Sequence, residues 1–498
     1  MKTLKEINEK IRKGEAVVVR ADEMPEIYEE DPKRAAKEVD IVTTGTFGAM
    51  CSSGVWLNFG HSDPPIKMRR VWLNEVEAYT GVAAVDAYLG AAELSLDRAM
   101  DYGGGHVIED LIRNKPIKVR ARAYGTDCYP RKYLETTLRL SDLNQAVMYN
   151  PRNNYRRYVA ATNSTERTVQ TYMGMLLPKY RNVNWAGTGE LSPLNNDPTY
   201  ETIGMGTRIF LGGAQGYVVG PGTQHSPKNQ FGTITVTGDL KEMSPDYIRG
   251  ATIPGYGTSL FVGIGMAIPI LNEKIAKSTA IRHKDIKTNI LDYGVPQLNR
   301  PVIKEVSYEE LLSDKIKITG KKTKTACLSS YKVAFEIIDL LGEWIDGKKF
   351  FLSSPQENLP RDTVFKPMKV RERVVHVSEV MTKKVITIHK DDKIEKVCNL
   401  MVKSGVDQIP IVEENKRLVG IVTAWDITKA TASKKRRLSQ VMTKNVISSK
   451  PTDTIDAVSQ KLQKHSINST PVVDYDGSVV GIITLSDINR IYSQMKKK

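Results

Sequence analysis

Residues 380–388 read VMTKKVITI and residues 441–449 read VMTKNVISS, a near-repeat at an offset of 61 residues. The same offset carries Pro410 to Pro471, Gly420 to Gly481, Thr423 to Thr484 and Asp426 to Asp487 with no insertion between them. A period near 60 is longer than solenoid repeats, and two copies are too few for an array, so the spacing predicts a tandem pair of small α/β modules packed together. Each copy is expected to run strand, helix, two strands, helix. Asp392 and Asp453 stand where a helix N-cap belongs, ahead of Ile394, Val397 and Met401 or Ile455, Val458 and Leu462 at helical spacing. The β-branched runs IPIV, RLVGIVT, TPVV and SVVGIIT follow, and Asp476-Gly477 marks a hairpin turn.

Upstream of the repeat, Pro355, Pro360 and Pro367 interrupt a stretch with no apolar periodicity, which reads as a linker or a wrapped extension. The expected division is therefore a domain over residues 1–350, a linker over 351–373 with the boundary near 370, and repeat copies over 374–433 and 434–498. The first domain reads as mixed α/β, with a sheet order the pattern does not reveal. It opens with a helix carrying Leu4, Ile7 and Ile11 on one face, ended by Gly14 before a Val run. Its glycine-rich stretches, TTGTFGAMCSSG, YGGGH, GMGTRIFLGGAQGYVVGPG and PGYGTSLFVGIG, suggest strand ends opening into the loops of a composite pocket. None fits a dinucleotide or P-loop phosphate cradle.

A chain of 498 residues is expected to hold two or three cores, and 40 % apolar with 26 % charged residues argues against long disorder. The longest apolar run, about Leu260 to Leu271, is broken by Gly263, Gly265 and Pro269 and is too short for a spanning helix, so no membrane segment is predicted. The net charge of +15 attracts anions without specifying one, and nucleic acid is not indicated. Cys51, Cys128, Cys327 and Cys398 are too few and too scattered for a disulfide framework, and none pair at metal-binding spacing. The setting expected is a reducing cytoplasm, with no metal site and no covalently bound cofactor.

The motifs GIVTAWD (Gly420, Thr423, Asp426) and GIITLSD (Gly481, Thr484, Asp487) resemble those of a CBS-domain pair. That resemblance implies that Thr423, Asp426, Thr484 and Asp487 hold the ribose of an adenosyl ligand while strand residues sandwich its base. A carboxylate can accept two ribose hydroxyls, and the glycine lets backbone approach closely. Asp426 and Asp487 equally suit plain helix N-capping. Residues 375–498 hold 21 Lys and Arg against 13 Asp and Glu, and KKRR at 434–437 could meet a phosphate, an RNA or only solvent.

The first domain resembles the homocysteine-biosynthesis family, also described as L-aspartate semialdehyde sulfurtransferases. The residues that carry the resemblance are VDIVTTGTFGAMCSSGVWLNFGHSDPPIKM around Cys51, YGGGHVIEDL, and ARAYGTDCYPRKYLETTLRLSDLNQAVMYNPRNNY around Cys128. The resemblance implies conversion of L-aspartate semialdehyde and sulfide to homocysteine, with electrons from a small ferredoxin-like iron–sulfur protein. It also makes S-adenosylmethionine or methylthioadenosine the favoured regulatory ligand of the CBS pair, ahead of ATP or AMP, and a homodimer through that pair the expected assembly.

The residues are compatible with that chemistry. Cys51 lies between Gly48 and Gly54 after a β-branched run, where backbone N–H groups would stabilise a thiolate, and Cys128 has Arg120, Arg122, Arg131 and Lys132 nearby. Either could carry a persulfide, whereas Cys327 and Cys398 read as small buried hydrophobes. Attack of sulfur on the aldehyde carbon needs a proton for the carbonyl oxygen, for which His61 and His106 are the candidates and His225 the third; each also suits a structural role. No single cation stands out for the substrate carboxylate. Two other readings compete. One is an oxidoreductase resembling inosine monophosphate dehydrogenase, although there the CBS pair interrupts a barrel. The other is a non-enzymatic adenosyl-ligand sensor.

Overall fold

The computed structural model describes residues 2–295, 299–366, 368, 374–433 and 435–495. They fall into two units divided after residue 366. The 434 position of the basic run and most of the expected boundary around 370 lie outside the described residues.

In the first unit, helix Leu4–Lys13 forms as its sequence predicts. Thr3 and Glu6 make a capping box, Gly14 ends it in the left-handed conformation, and Ile7 and Ile11 are buried. The helix is anchored by a fully buried carboxylate: Asp40 accepts from Lys2 (3.2 Å), from Lys10 (2.8 Å) and from the Val17 backbone N–H (3.0 Å). Buried charge persists only when paired in this way.

The main sheet runs in the order Val18–Arg20, Ile41–Ala49, Gly257–Pro269, Arg208–Leu211, Ala214–Pro221, Ile234–Asp239, Gln145–Asn153, Gly54–Asn58, Asp86–Gly90, with Ile248–Ile253 also paired to Gly257–Pro269. The broken apolar run near Leu260 is therefore the core of a 13-residue strand, buried along nearly its whole length. Ile41–Ala49 and Gly54–Asn58 lie six places apart in that order, roughly 29 Å in a flat sheet. The chain passes between them in five Cα-to-Cα steps, from Ala49 to Gly54, which reach about 17 Å at most. The sheet must curl over, and it does: Ala91, just past the last strand, accepts from Thr258 Oγ1 (3.0 Å) and donates to the Ser53 carbonyl (2.8 Å).

Helix Tyr331–Asp346 covers one face of the curled sheet, lying so close that a side chain at Gly45 would meet the Ala334 carbonyl and Ile338. Two six-stranded sheets and two two-stranded ones complete the unit; of the larger pair one is built around Ile117–Arg122 and Arg70–Leu73, the other around Ala160–Thr162 and Asn182–Trp185. The segment from Phe351 to Lys366 belongs to this unit rather than to a free linker. Glu357–Asn358 pairs with Gly204–Met205, Leu359 is buried, and the Pro360 carbonyl meets His225 Nε2 at 2.9 Å. Its prolines suppress helix but leave carbonyls free to bond to the domain it wraps.

The second unit has the expected alternation: Ile388–His389, helix Ile394–Ser404, Gln408–Val412, Leu418–Thr423 and helix Ala424–Ala432 in copy one. Copy two follows with helix Ile455–His465, Ser469–Val473, Val479–Thr484 and helix Leu485–Met495. The first strand of copy two shrinks to a single Ser449–Val472 bridge. The helix caps are Lys393 and Thr454, one residue beyond the expected aspartates. Asp392 and Asp453 instead accept from the backbone N–H groups of His389 and Lys450, each at 3.0 Å, closing the turn before the helix. The copies exchange their leading segments. Val375 and Val377 pack in the core of copy two, and Leu438 in the core of copy one. Gly420 and Gly481 answer to that exchange, because a side chain at either would strike Met442 or Met381 from the other copy's leading segment.

Candidate active site

Strand Ile41–Ala49 delivers Cys51 to a tight turn in which Ser53 N–H and Oγ both bond the Met50 carbonyl, at 3.0 and 2.7 Å. The half-buried thiol accepts a hydrogen bond from Ser259 Oγ at 3.1 Å. Ser259 is itself placed by the YGGGH segment, which begins helix Gly104–Ile112: a side chain at Gly105 would overlap the Ser259 carbonyl. These glycines serve a close approach of helix to strand rather than a site loop.

Cys51 opens on a cavity of about 310 Å³ whose walls come from widely separated segments, among them Arg152, Asn154, Arg156, Gly187, Tyr256, Arg300 and Ser329. A β-bulge between Asn150 and Asn153 breaks the register of strand Gln145–Asn153 against Ile234–Asp239 and turns the residues that follow toward the cavity. Arg152 Nε and Arg156 Nε are buried without a protein hydrogen-bond partner. Burial lowers the pKa of the Arg156 guanidinium, an energetic cost that an anion would relieve. Among the described residues no Asp or Glu lines the cavity. Tyrosines supply the phenolic hydroxyls, beside those of serines and threonines. Burial pushes Tyr155 up to about 12, with the neighbouring Cys51 adding to the shift, and Tyr256 is raised by the same two causes in that order.

The other expected site residues lie elsewhere. Cys128 is exposed, with Thr126 Oγ1 at 3.6 Å. His61 stacks on Tyr129, next to Cys128, with ring centroids 5.5 Å apart. The structure thus joins His61 to the Cys128 loop and not to Cys51. His106 is half-buried, stacks on Tyr102 (5.3 Å) and accepts from the Gly103 N–H (3.2 Å), as the third residue of its helix. Burial lowers its pKa. His225 accepts from the Thr233 N–H at Nδ1 (3.0 Å), so Nε2 donates to Pro360, and both ring nitrogens are committed to structure. The acid–base groups that face Cys51 are tyrosines, which the sequence reading passed over. It also passed over Arg152, Asn154 and Arg156 in NPRNNYRRY; the available signal was three polar residues at alternate positions running off the end of a strand. Cys327 is inert by environment, its thiol pushed up to about 12 by burial.

In the second unit Thr423–Asp426 and Thr484–Asp487 each close a capping box: the threonine hydroxyl accepts the aspartate N–H, and aspartate Oδ2 accepts both the threonine N–H and hydroxyl. Capping and a ligand role are compatible, because Oδ1 lies outside the box. The copies differ there. Arg490 donates to Asp487 Oδ1 at 3.1 Å, whereas the corresponding Lys429 lies over the Trp425 ring at 5.3 Å.

Fold and site together define an enzyme built around a cavity lined by a thiol and buried arginines and followed in sequence by a tandem α/β module. Residues 16–352 match the family described as homocysteine biosynthesis enzyme, sulfur-incorporation, and residues 377–433 and 438–494 match the CBS domain. The chain belongs to that family of homocysteine-biosynthesis enzymes and carries a C-terminal CBS pair. It is 52 % identical over 495 residues, 99 % of both chains, to L-aspartate semialdehyde sulfurtransferase of Methanosarcina acetivorans. It is 52 % identical over 512 residues, the whole of both chains, to the enzyme of the same name from Methanocaldococcus jannaschii. The CBS region is similar to a CBS domain pair solved with 5′-methylthioadenosine and S-adenosyl-L-methionine, at 36 % identity over 25 % of this chain and 99 % of that one, with a TM-score of 0.24. The family match sets aside the dehydrogenase and sensor readings.

Proposed function

We propose that the chain is an L-aspartate semialdehyde sulfurtransferase whose reaction takes place at Cys51. The observation that carries this reading is the convergence of the Cys51 thiol with Arg152 and Arg156 in one cavity that no acid lines among the described residues. The arginines hold the substrate carboxylate and favour anionic sulfur beside it. Sulfur at the hydrosulfide level, handled by Cys51, adds to the aldehyde carbon. Tyr155, which stays protonated because burial raises its pKa, donates to the carbonyl oxygen. Loss of water leaves a thioaldehyde, and two electrons with two protons complete the thiol. A small ferredoxin-like iron–sulfur protein supplies those electrons, since no flavin or nicotinamide motif stands in the chain. Cys128, exposed on a basic loop, assists or resolves an intermediate. His61 and His106 support their own loops.

The CBS pair binds S-adenosylmethionine or methylthioadenosine through the four Thr and Asp residues and regulates the first unit as a homodimer. Homocysteine leads to methionine and then to S-adenosylmethionine, so that ligand would report on the end product. Mass spectrometry of products from the purified protein, L-aspartate semialdehyde, sulfide and a low-potential reductant tests the activity. Homocysteine is expected. Its absence, or its formation without any reductant, overturns the reading.

A further inference from the structure

Within that proposed activity, one side chain in the cavity has no assigned work. Asn154 is 3 % exposed, lines the cavity, and neither its Oδ1 nor its Nδ2 has a hydrogen-bond partner. An amide buried with both ends unpaired is costly, so such a group points to a ligand that completes it. Its backbone is in the left-handed region, φ 59°, immediately after the bulge. Asparagine tolerates that conformation better than most residues, so the position is held at low strain.

We infer that Asn154 is the specificity-determining residue that recognises the α-amino group of the substrate. An α-amino acid carrying an aldehyde brings both a carboxylate and an ammonium group into the cavity. Arg152 and Arg156 provide for the first. The second meets no carboxylate there among the described residues, and the arginines repel it. Asn154 Oδ1 is a buried, unpaired, neutral acceptor placed between those two arginines in sequence. It can take the ammonium without neutralising the positive field that holds the carboxylate and anionic sulfur. The cavity then selects α-amino aldehydes over aldehydes bearing a carboxylate alone.

The inference rests on the sulfurtransferase reading, and two measurements separate the two. Steady-state kinetics compare L-aspartate semialdehyde with succinate semialdehyde, which keeps the carboxylate and lacks the amine. Asn154→Gly deletes the side chain without straining the left-handed backbone. It should raise KM for the amino aldehyde about 10- to 100-fold, the loss of one hydrogen bond to a charged group, and change kcat/KM for succinate semialdehyde by less than about 3-fold. Asn154→Asp keeps an acceptor and the backbone conformation, and should restore discrimination between the two aldehydes. Equal losses on both aldehydes, or no recovery with aspartate, would overturn the assignment. Calorimetry with L-homocysteine as probe gives the independent arm. Weaker binding to Asn154→Gly than to the wild type supports the assignment even if no sulfur transfer occurs, and unchanged binding refutes it.

Discussion

The first unit assembles its candidate site from distance, and the second assembles its Thr–Asp pairs from adjacency. Around Cys51 the walls come from residues as far apart as Thr46 and Ser329, brought together by a sheet that curls until two strands six places apart are joined by one turn. In the CBS pair each Thr–Asp couple is a capping box four residues long, complete within a single turn of helix. The difference teaches where damage should spread. A change in the cavity removes one of several unlike groups gathered there, whereas a change in one Thr–Asp pair leaves a related pair in place. The two pairs are not equal, however, because Arg490 already occupies Asp487 Oδ1.

The sharpest way to break this comparison is at the two cysteines. Cys51→Ser should lower homocysteine formation by at least about 1000-fold while the protein stays folded, as loss of a group that acts directly in the chemistry does. Cys128→Ser, exposed and outside the cavity, should cost less than about 10-fold. Normal product formation by Cys51→Ser, or an equal collapse in both variants, would show that the cavity is not where the sulfur is handled.

Next in size is the clamp behind the cavity wall. His283 Nδ1 accepts from the Glu190 N–H (3.4 Å), its Nε2 faces Glu190 Oε1 (3.3 Å) and its ring meets Tyr331. Burial lowers its pKa from 6.5 to about 4. Between those values the unfolded chain binds the proton and the folded one does not, so stability falls as pH drops from about 6.5 to about 4, by up to about 3 kcal/mol. Glu190, its pKa raised by burial, offsets part of this, because the folded protein protonates it at a higher pH than the unfolded chain. Urea unfolding at pH 7 and pH 4.5 checks the slope. His283→Gln should flatten it, and a pH dependence unchanged in that variant would remove His283 as its source.

The Thr–Asp pairs come third. Asp426→Ala should weaken adenosyl-ligand binding by about 30- to 150-fold, the loss of hydrogen bonds to a charged acceptor worth about 2 to 3 kcal/mol. Asp487→Ala should cost less, since its outer oxygen is shared with Arg490. Titration calorimetry on the full chain orders the two, and identical losses would restore the equivalence of the copies. The smallest effect is expected at the threonines. Thr423→Ala and Thr484→Ala each open a capping box and should each destabilise the second unit by about 1 kcal/mol, seen as equal shifts in its denaturant midpoint. Unequal shifts would place one threonine in a further interaction.

The offset of 61 residues, the strand–helix alternation of each copy, the Asp476-Gly477 turn and the helix at the N-terminus were all legible because each depends on residues within a few positions of one another. Cys51 was legible for the same reason, as a cysteine in a glycine-flanked turn after a strand. Neither Arg152 nor Asn154 could be distinguished from the other arginines and asparagines until the bulge and the curl of the sheet set them across from Cys51. Chain spacing likewise placed His61 ten residues from Cys51, yet the fold carried it to the Cys128 loop. Only the tertiary structure revealed that the leading segment of each CBS copy packs into the other copy's core, because the two segments are nearly alike and either core could accept either one. Local hydrogen bonding and periodicity are written in neighbouring residues, so the sequence by itself determined the elements and their caps. Which distant side chains share a cavity depends on strand order and curl, and only the folded chain decides those.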